Sequence, residues 1–453
     1  MRFKKGFRFF TIFLLMVSIV IAGCSNSNST SGEKESSGDS LKGKTVKVLL
    51  SAGGVGQFNA WKERSKDFTE KTGIKVEFIE TPYENLLEDI TTDGIANGGA
   101  YDLVVHLDSM GSSISQFLEP LDEYAKKDNI DLKRWPDAAI DLSTFDGKLM
   151  SLPVRAHVQM LFYRKDVFEK LNLQPPTTWE ELEDVSKKIS ENTELSGIVP
   201  YYGAGNNGQN LFMWTAYLWS NGGEIFDKNM KPTFASKEGI AATQRYIDLL
   251  VKDKVAPPGS VTFGEQDSRT FFKQGKAAMW LGWWWVFSEF NSPDSAAPEV
   301  AGNVGFSPVP GWEGKGSTAN VSSFPLAMMK GSKNKDAAWE VLKWIAEPEE
   351  ELDIVLKTLK NEVPGELQST VITQTENLRN PEVNELSENF YNVAADNFEN
   401  SRALPKIKEW PQVADIISAA ISKIATGEPV ESNLKEASEQ VEELLDKAGY
   451  YKK

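Results

Sequence analysis

Residues 45–79, TVKVLLSAGGVGQFNAWKERSKDFTEKTGIKVEFI, decide the fold class. Thr45 to Leu50 is a β-branched and apolar run that reads as a buried strand. A glycine-rich turn, Ser51 to Gly56, leads into an amphipathic helix from about Phe58 to Lys71. Gly73 stops that helix, and Ile74 to Ile79 forms a second strand. The unit is strand–helix–strand. Thr81-Pro82-Tyr83-Glu84 has the spacing of a capping box with proline at the first helical position, and the helix it opens runs toward a third strand, Tyr101 to His106. Strands alternating with helices argue an α/β fold with a largely parallel sheet.

The same grammar continues downstream. Thr178-Trp-Glu-Glu181 is a second capping box, opening a helix to about Ile189. Gly197 to Tyr202 reads as a strand, followed by helices near 210–220 and 237–252. The C-terminal third is helical: Val413, Ile416, Ile417, Ala420, Ile421 and Ile424 share one apolar face, and Gly427 ends it. There is no internal repeat.

Upstream, Arg2, Lys4, Lys5 and Arg8 precede an apolar run from Phe9 to Ile21. That run is too short to span a bilayer as a mature helix and suits the core of an export signal over residues 1–23. It ends in Ile21-Ala22-Gly23-Cys24, which resembles the lipobox of bacterial lipoproteins. Cys24 is the only cysteine, so disulfides and thiolate metal sites are excluded, and acylation of Cys24 is its simplest use. Each buried acyl CH₂ stabilises membrane attachment by roughly 0.8 kcal/mol. Residues 24–40 are small and polar and read as a flexible tether.

Four positive charges leave with residues 1–23, taking the net charge from −16 to −20. Such an acidic body, without a basic stripe, excludes nucleic-acid binding. The roughly 410 remaining residues exceed what one core organises, so two domains are expected.

Several pattern matches fail on context. Gly38 to Thr45 fits the phosphate-binding loop letter for letter, but it precedes a strand instead of following one. Gly203-Ala-Gly-Asn-Asn-Gly208 fits a dinucleotide fingerprint, yet Glu224 sits in a turn and not at a strand tip. No Gly-x-Ser-x-Gly elbow is present, and two histidines make a metal site improbable on composition. No cofactor is implied. A glycosidase carboxylate pair has no motif to mark it among so many acids.

Three segments together resemble the bacterial extracellular solute-binding proteins that include maltose- and polyol-binding receptors. They are Gly147 to Pro153 with Leu161 to Phe168 and Pro175 to Leu182; Phe271 to Gly282 with the tryptophans after it; and Ala327 to Asn334 leading into Ala337 to Trp344. The resemblance spans nearly all of residues 41–450. It implies a two-lobed α/β periplasmic-binding-protein fold of type II, with discontinuous lobes joined by several chain crossings. Residues 41–155 with 321–362 would form one lobe, and 156–320 with 363–453 the other. It also implies a monomer that captures a sugar between the lobes and delivers it to an ABC permease, with no catalysis. Closure around ligand would require contacts made only in the closed state. The alternatives are a receptor for another polar or acidic solute and a surface carbohydrate-active enzyme.

A sugar needs flat aromatics against its C–H faces and polar groups on its hydroxyls. The resemblance places a stacking tryptophan after Gly282: Trp284, or Trp283 if the register slips by one. It places His106 and Asp108 at the end of the third strand, and His157 four residues beyond Pro153. Arg155 shares that segment, with a guanidinium suited to vicinal hydroxyls or a carboxylate. Gly53, Gly54 and Gln57 occupy the first strand-to-helix turn, and Ser322 and Ser323 a chain crossing. Trp214, Trp312 and Trp410 complete the aromatic candidates.

Overall fold

The computed structural model describes residues 41–452 except Gly54, Asn206 and Asn207. The export signal 1–23, Cys24, the tether to residue 40 and Gly54 therefore lie outside the described residues.

The opening strand, Thr45–Ser51, pairs in parallel with Lys75–Thr81 on one side and Leu103–Val105 on the other. Leu326–Met328 then pairs antiparallel with Leu103–Val105, and Ser151–Leu152 completes a five-stranded sheet. Both faces are covered. Val46, Val48 and Leu50 pack with Phe58, Trp61, Trp339 and Leu342, while Leu49 and Val104 pack with Leu86, Ile90 and Ile114 on the opposite side. Double coverage is why this strand reads as a continuous apolar run and not an alternating one. The helix Gly56–Thr72 ends at Gly73, whose φ of 75° lets its N–H reach the Thr69 carbonyl.

The Thr81 box forms differently from its sequence pattern. Thr81 is the last residue of the strand, its carbonyl accepting the Ala52 N–H at 2.7 Å. Held extended by the ladder, its side chain makes no cap, and a short 3₁₀ turn, Tyr83–Asn85, precedes the helix Leu86–Ala96. The Thr178 box does close: the Thr178 hydroxyl accepts from Glu181 N–H and the Glu181 carboxylate from Thr178 N–H.

The second sheet is built around Ala156–Arg164. Met279–Trp283, Val304–Ser307 and Ala319–Ser323 all pair antiparallel with it, and Ser401–Arg402 pairs with Ala319–Ser323. Its core gathers Phe162, Trp280, Trp284, Phe290 and Phe390 with the apolar face of the helix Trp410–Ala425. The segment 197–202 runs beside Met279–Trp283 and forms no strand. Val199 N–H reaches the Met279 carbonyl at 3.2 Å, but Pro200 has no donor to continue the ladder.

The chain passes from the first sheet to the second between Leu152 and Ala156 and returns between Ser323 and Leu326. The boundary expected at 320/321 therefore falls inside a strand, because Val321, Ser322 and Ser323 pair with Val158, His157 and Ala156. The helix Asp137–Leu142 also departs from its expected lobe, burying Ala139 and Leu142 in the second core. A further link runs along the helix Pro348–Leu359, whose Ile354 joins the first core and Val355 the second. Here the buried Glu351 accepts from Thr373 N–H, Gln374 N–H and the Asn377 amide. Thr373 in turn accepts the Ala156 N–H at the start of the central strand.

Candidate ligand site

Strand ends of the two sheets meet along one line. The first sheet contributes the turn after Ser51, Tyr83 after Thr81, Asp108 after Val105, and Arg155 after Leu152. The second contributes His157 and Ser322, which sit opposite each other in register.

Asp108 joins the two sides. Its Oδ1 accepts from Ser322 Oγ at 3.2 Å and from Ser109 N–H at 3.0 Å. Burial pushes its pKa up to about 7, against the downward pull of hydrogen bonds from Ser109, Ser322 and the Ser323 backbone. A carboxyl accepts from a hydroxyl when ionised and can also donate to one when protonated, so either form suits hydroxyl recognition. Tyr83 stands close by, its phenol pushed up to about 12 by burial and by the Asp108 charge. Tyr83 is 41% exposed, and its ring lies 6.2 Å from that of Phe324.

Arg155 lies between the rings of Phe58 and Phe324, at 5.9 and 5.7 Å from their centres. Its carbonyl is fixed by Phe324 N–H at 2.7 Å and Ser323 Oγ at 3.2 Å. Its Nε–H donates to His157 Nε2 at 3.1 Å, while Trp284 Nε1–H donates to His157 Nδ1 at 3.1 Å. Burial and the Arg155 charge hold His157 neutral. A neutral imidazole has one lone pair for these two donors, so one of them faces an N–H. Gln57 braces the segment from below, donating to the Val154 carbonyl at 2.9 Å. Gly53 takes φ 125° beside open space, a conformation glycine alone adopts without strain.

Other sequence candidates fall elsewhere. His106 is fully buried, donates from Nδ1 to the Leu107 carbonyl and is driven to a pKa of about 4 by burial; it is a core residue. Its backbone N–H still pairs with the Pro325 carbonyl at 3.2 Å, which carries the ladder one residue further. Trp284 is 1% exposed and packs among Phe390, Tyr391 and Phe398. The half-buried Trp283, paired with Gln159, ends the strand and sets its edge against Phe212. Trp214 and Trp410 are core residues, Trp214 donating to Thr243. Trp312 lies under the Arg245 guanidinium, away from the junction. Ser323 is buried and positions Arg155 through its carbonyl. Tyr83, Phe58 and Phe324 escaped the sequence reading. The signal for Tyr83 and Phe324 was a proline beside an aromatic at a strand end, Pro82-Tyr83 and Phe324-Pro325.

Two cavities lie off this line. One of about 700 Å³ lies between Trp135, Asp137, Phe398 and Lys406, and one of about 330 Å³ lies between Lys165, Phe287, Glu388 and Tyr391. The larger one is lined by Trp135 of the first core and by Phe398, Glu399 and Arg402 on the side of the second, and neither includes Asp108, Arg155 or Ser322. Glu224, the acid of the discarded dinucleotide pattern, forms a forked ion pair with Arg402.

Residues 52–351 match the family described as bacterial extracellular solute-binding protein. A probable amino-acid ABC transporter periplasmic-binding protein of Sinorhizobium fredii is 26% identical over 423 residues, 90% of this chain and 91% of that one. The galactooligosaccharide-binding protein of Bacillus subtilis is 26% identical over 349 residues, 74% and 76% of the two chains. The solved structure of maltose-bound T. maritima MalE3 superposes with a TM-score of 0.73 at 26% identity, covering 88% of this chain and 99% of that one. Match, coverage and two-sheet architecture agree with the resemblance read from the sequence: the chain belongs to the bacterial extracellular solute-binding protein family.

Proposed function

We propose that the protein captures a sugar, from monosaccharide or polyol to oligosaccharide, at the junction of the two sheets and hands it to an ABC permease. The observation that carries this reading is the Asp108–Ser322 contact across the junction, with Tyr83 near Asp108 and its ring 6.2 Å from that of Phe324. Carboxyl, hydroxyl and flat rings are the groups that a sugar's hydroxyls and C–H faces require. Relatives named for galactooligosaccharide and maltose support it.

Thermal denaturation of the purified protein against mono-, di- and oligosaccharides and polyols tests the proposal. A ligand at about 100 times its Kd stabilises the fold by about 2.7 kcal/mol. Asp108→Asn should weaken that ligand by about 10- to 100-fold, since hydrogen bonds to charged groups contribute about 1.5–3 kcal/mol. A response confined to amino acids, with none to sugars, rejects the sugar reading.

The second element is the anchor. With the signal removed and Cys24 acylated, the protein sits as a monomer on the outer face of the cytoplasmic membrane. Cys24→Ser should move it from the membrane pellet to the soluble fraction, and retention in the pellet would refute the anchor.

A further inference from the structure

Arg155 differs from the other described arginines in the company it keeps. Arg64, Arg164, Arg245, Arg269, Arg379 and Arg402 each meet a carboxylate within 4.0 Å. Arg134 donates to the Ala346 carbonyl and feels the charge of Glu347 and Glu376. In a chain with 65 acidic residues against 49 basic ones, such company is expected. Arg155 has none: among the described residues its one side-chain partner is His157.

That partner is inadequate. Trp284 also claims His157, so the single imidazole lone pair is oversubscribed. Arg155 is only partly accessible, yet surrounding protein lowers its pKa to about 10, and no acid acts to restore it. An enclosed cation without an anion is costly unless something else supplies one. Among the described residues, the two terminal nitrogens of the guanidinium make no hydrogen bond, and the rings of Phe58 and Phe324 lie 5.9 and 5.7 Å from its centre. A fork so presented matches the two oxygens of a carboxylate.

We propose that the ligand is an acidic sugar, a uronic or aldonic acid or an oligosaccharide carrying one, and that Arg155 binds its carboxylate while Asp108, Ser322 and Tyr83 hold its hydroxyls. The proposal rests on the sugar-binding reading and narrows it. It divides the site into a part that reads charge and a part that reads hydroxyls.

The test is titration calorimetry of the purified protein with matched pairs. These are D-galacturonic acid and D-galactose, digalacturonic acid and galactobiose, and D-gluconate and sorbitol, with citrate and glutamate as acids that are not sugars. In at least one pair the acid member should bind about 100-fold tighter than its neutral partner, and added salt should weaken it. Arg155→Gln should remove that preference, weakening the acid member far more than the neutral one, and Arg155→Lys should retain part of it. If neutral sugars bind as well as acidic ones and Arg155→Gln weakens both alike, the residue serves hydroxyls; the acidic-sugar proposal falls and the sugar reading stands. Binding of citrate or glutamate with no sugar in the panel bound overturns both. Heat from neither member of any pair overturns the proposal.

Discussion

Trp284→Ala should destabilise the protein by about 3–5 kcal/mol, the range for deleting a buried large aromatic side chain. The ring is 1% exposed. It stacks on Phe390 at 6.0 Å and 8°, meets Tyr391 and Phe398 edge-on at 5.6 and 5.7 Å, and anchors His157 through its N–H. Truncation leaves a cavity and frees the imidazole at once. Urea unfolding should show a lower midpoint with an unchanged slope. Trp283→Ala, half-buried at the strand end against Phe212, should cost no more than about 1–2 kcal/mol. Equal midpoints for the Trp284 variant and the parent would refute this account of the core.

Glu351→Ala should have an effect of similar size for a different reason. The carboxylate accepts from Thr373 N–H at 2.7 Å, Gln374 N–H at 3.1 Å and the Asn377 amide at 2.9 Å. Removing it strands three buried donors, at a cost of about 3–5 kcal/mol. It also loosens Thr373, which receives the Ala156 N–H. Burial, opposed by those hydrogen bonds, pushes the Glu351 pKa up from 4.5 to about 7. The folded state therefore binds this proton more tightly than the unfolded state does. Its contribution to stability is full below about pH 4.5, declines as pH rises to about 7, and is flat above. Glu351→Gln should flatten that decline, leaving the share that belongs to Asp108, whose pKa is raised in the same direction. Denaturation midpoints across pH 4.5 to 7.5 measure the slope. A slope unchanged by Glu351→Gln would show that the carboxyl does not titrate there.

How much of this was legible in the sequence depended on the range of the forces involved. The opening strand–helix–strand unit was legible because its apolar run, its glycine stop and its second strand are all local signals. The Thr178 cap was legible for the same reason. Thr81 has equally good local chemistry, but the ladder with Ser51 claimed its backbone first. The tryptophan run shows the limit at the site. The strand runs through Trp283, which is half-buried, and Trp284 just beyond its end turns into the core. Asp108, Arg155 and Ser322 were named from the sequence because each lies at a strand end or beside a crossing. Tyr83 and Phe324 were missed because their proximity arises only when the chain returns to the first sheet after residue 323. Arg155 was named as a contact, but its lack of an acidic partner could be seen only once the partners of the other described arginines were in place.

The strand Leu326–Met328 lies between Leu103–Val105 and Ser151–Leu152, strands made far earlier in the chain. During synthesis the first sheet therefore has a gap in its middle that no nearby segment fills. Pairings so distant in sequence form slowly, since the chain must close a large loop before they contribute. The finished first sheet has to wait until residues 326–328 have been made, long after its other four strands.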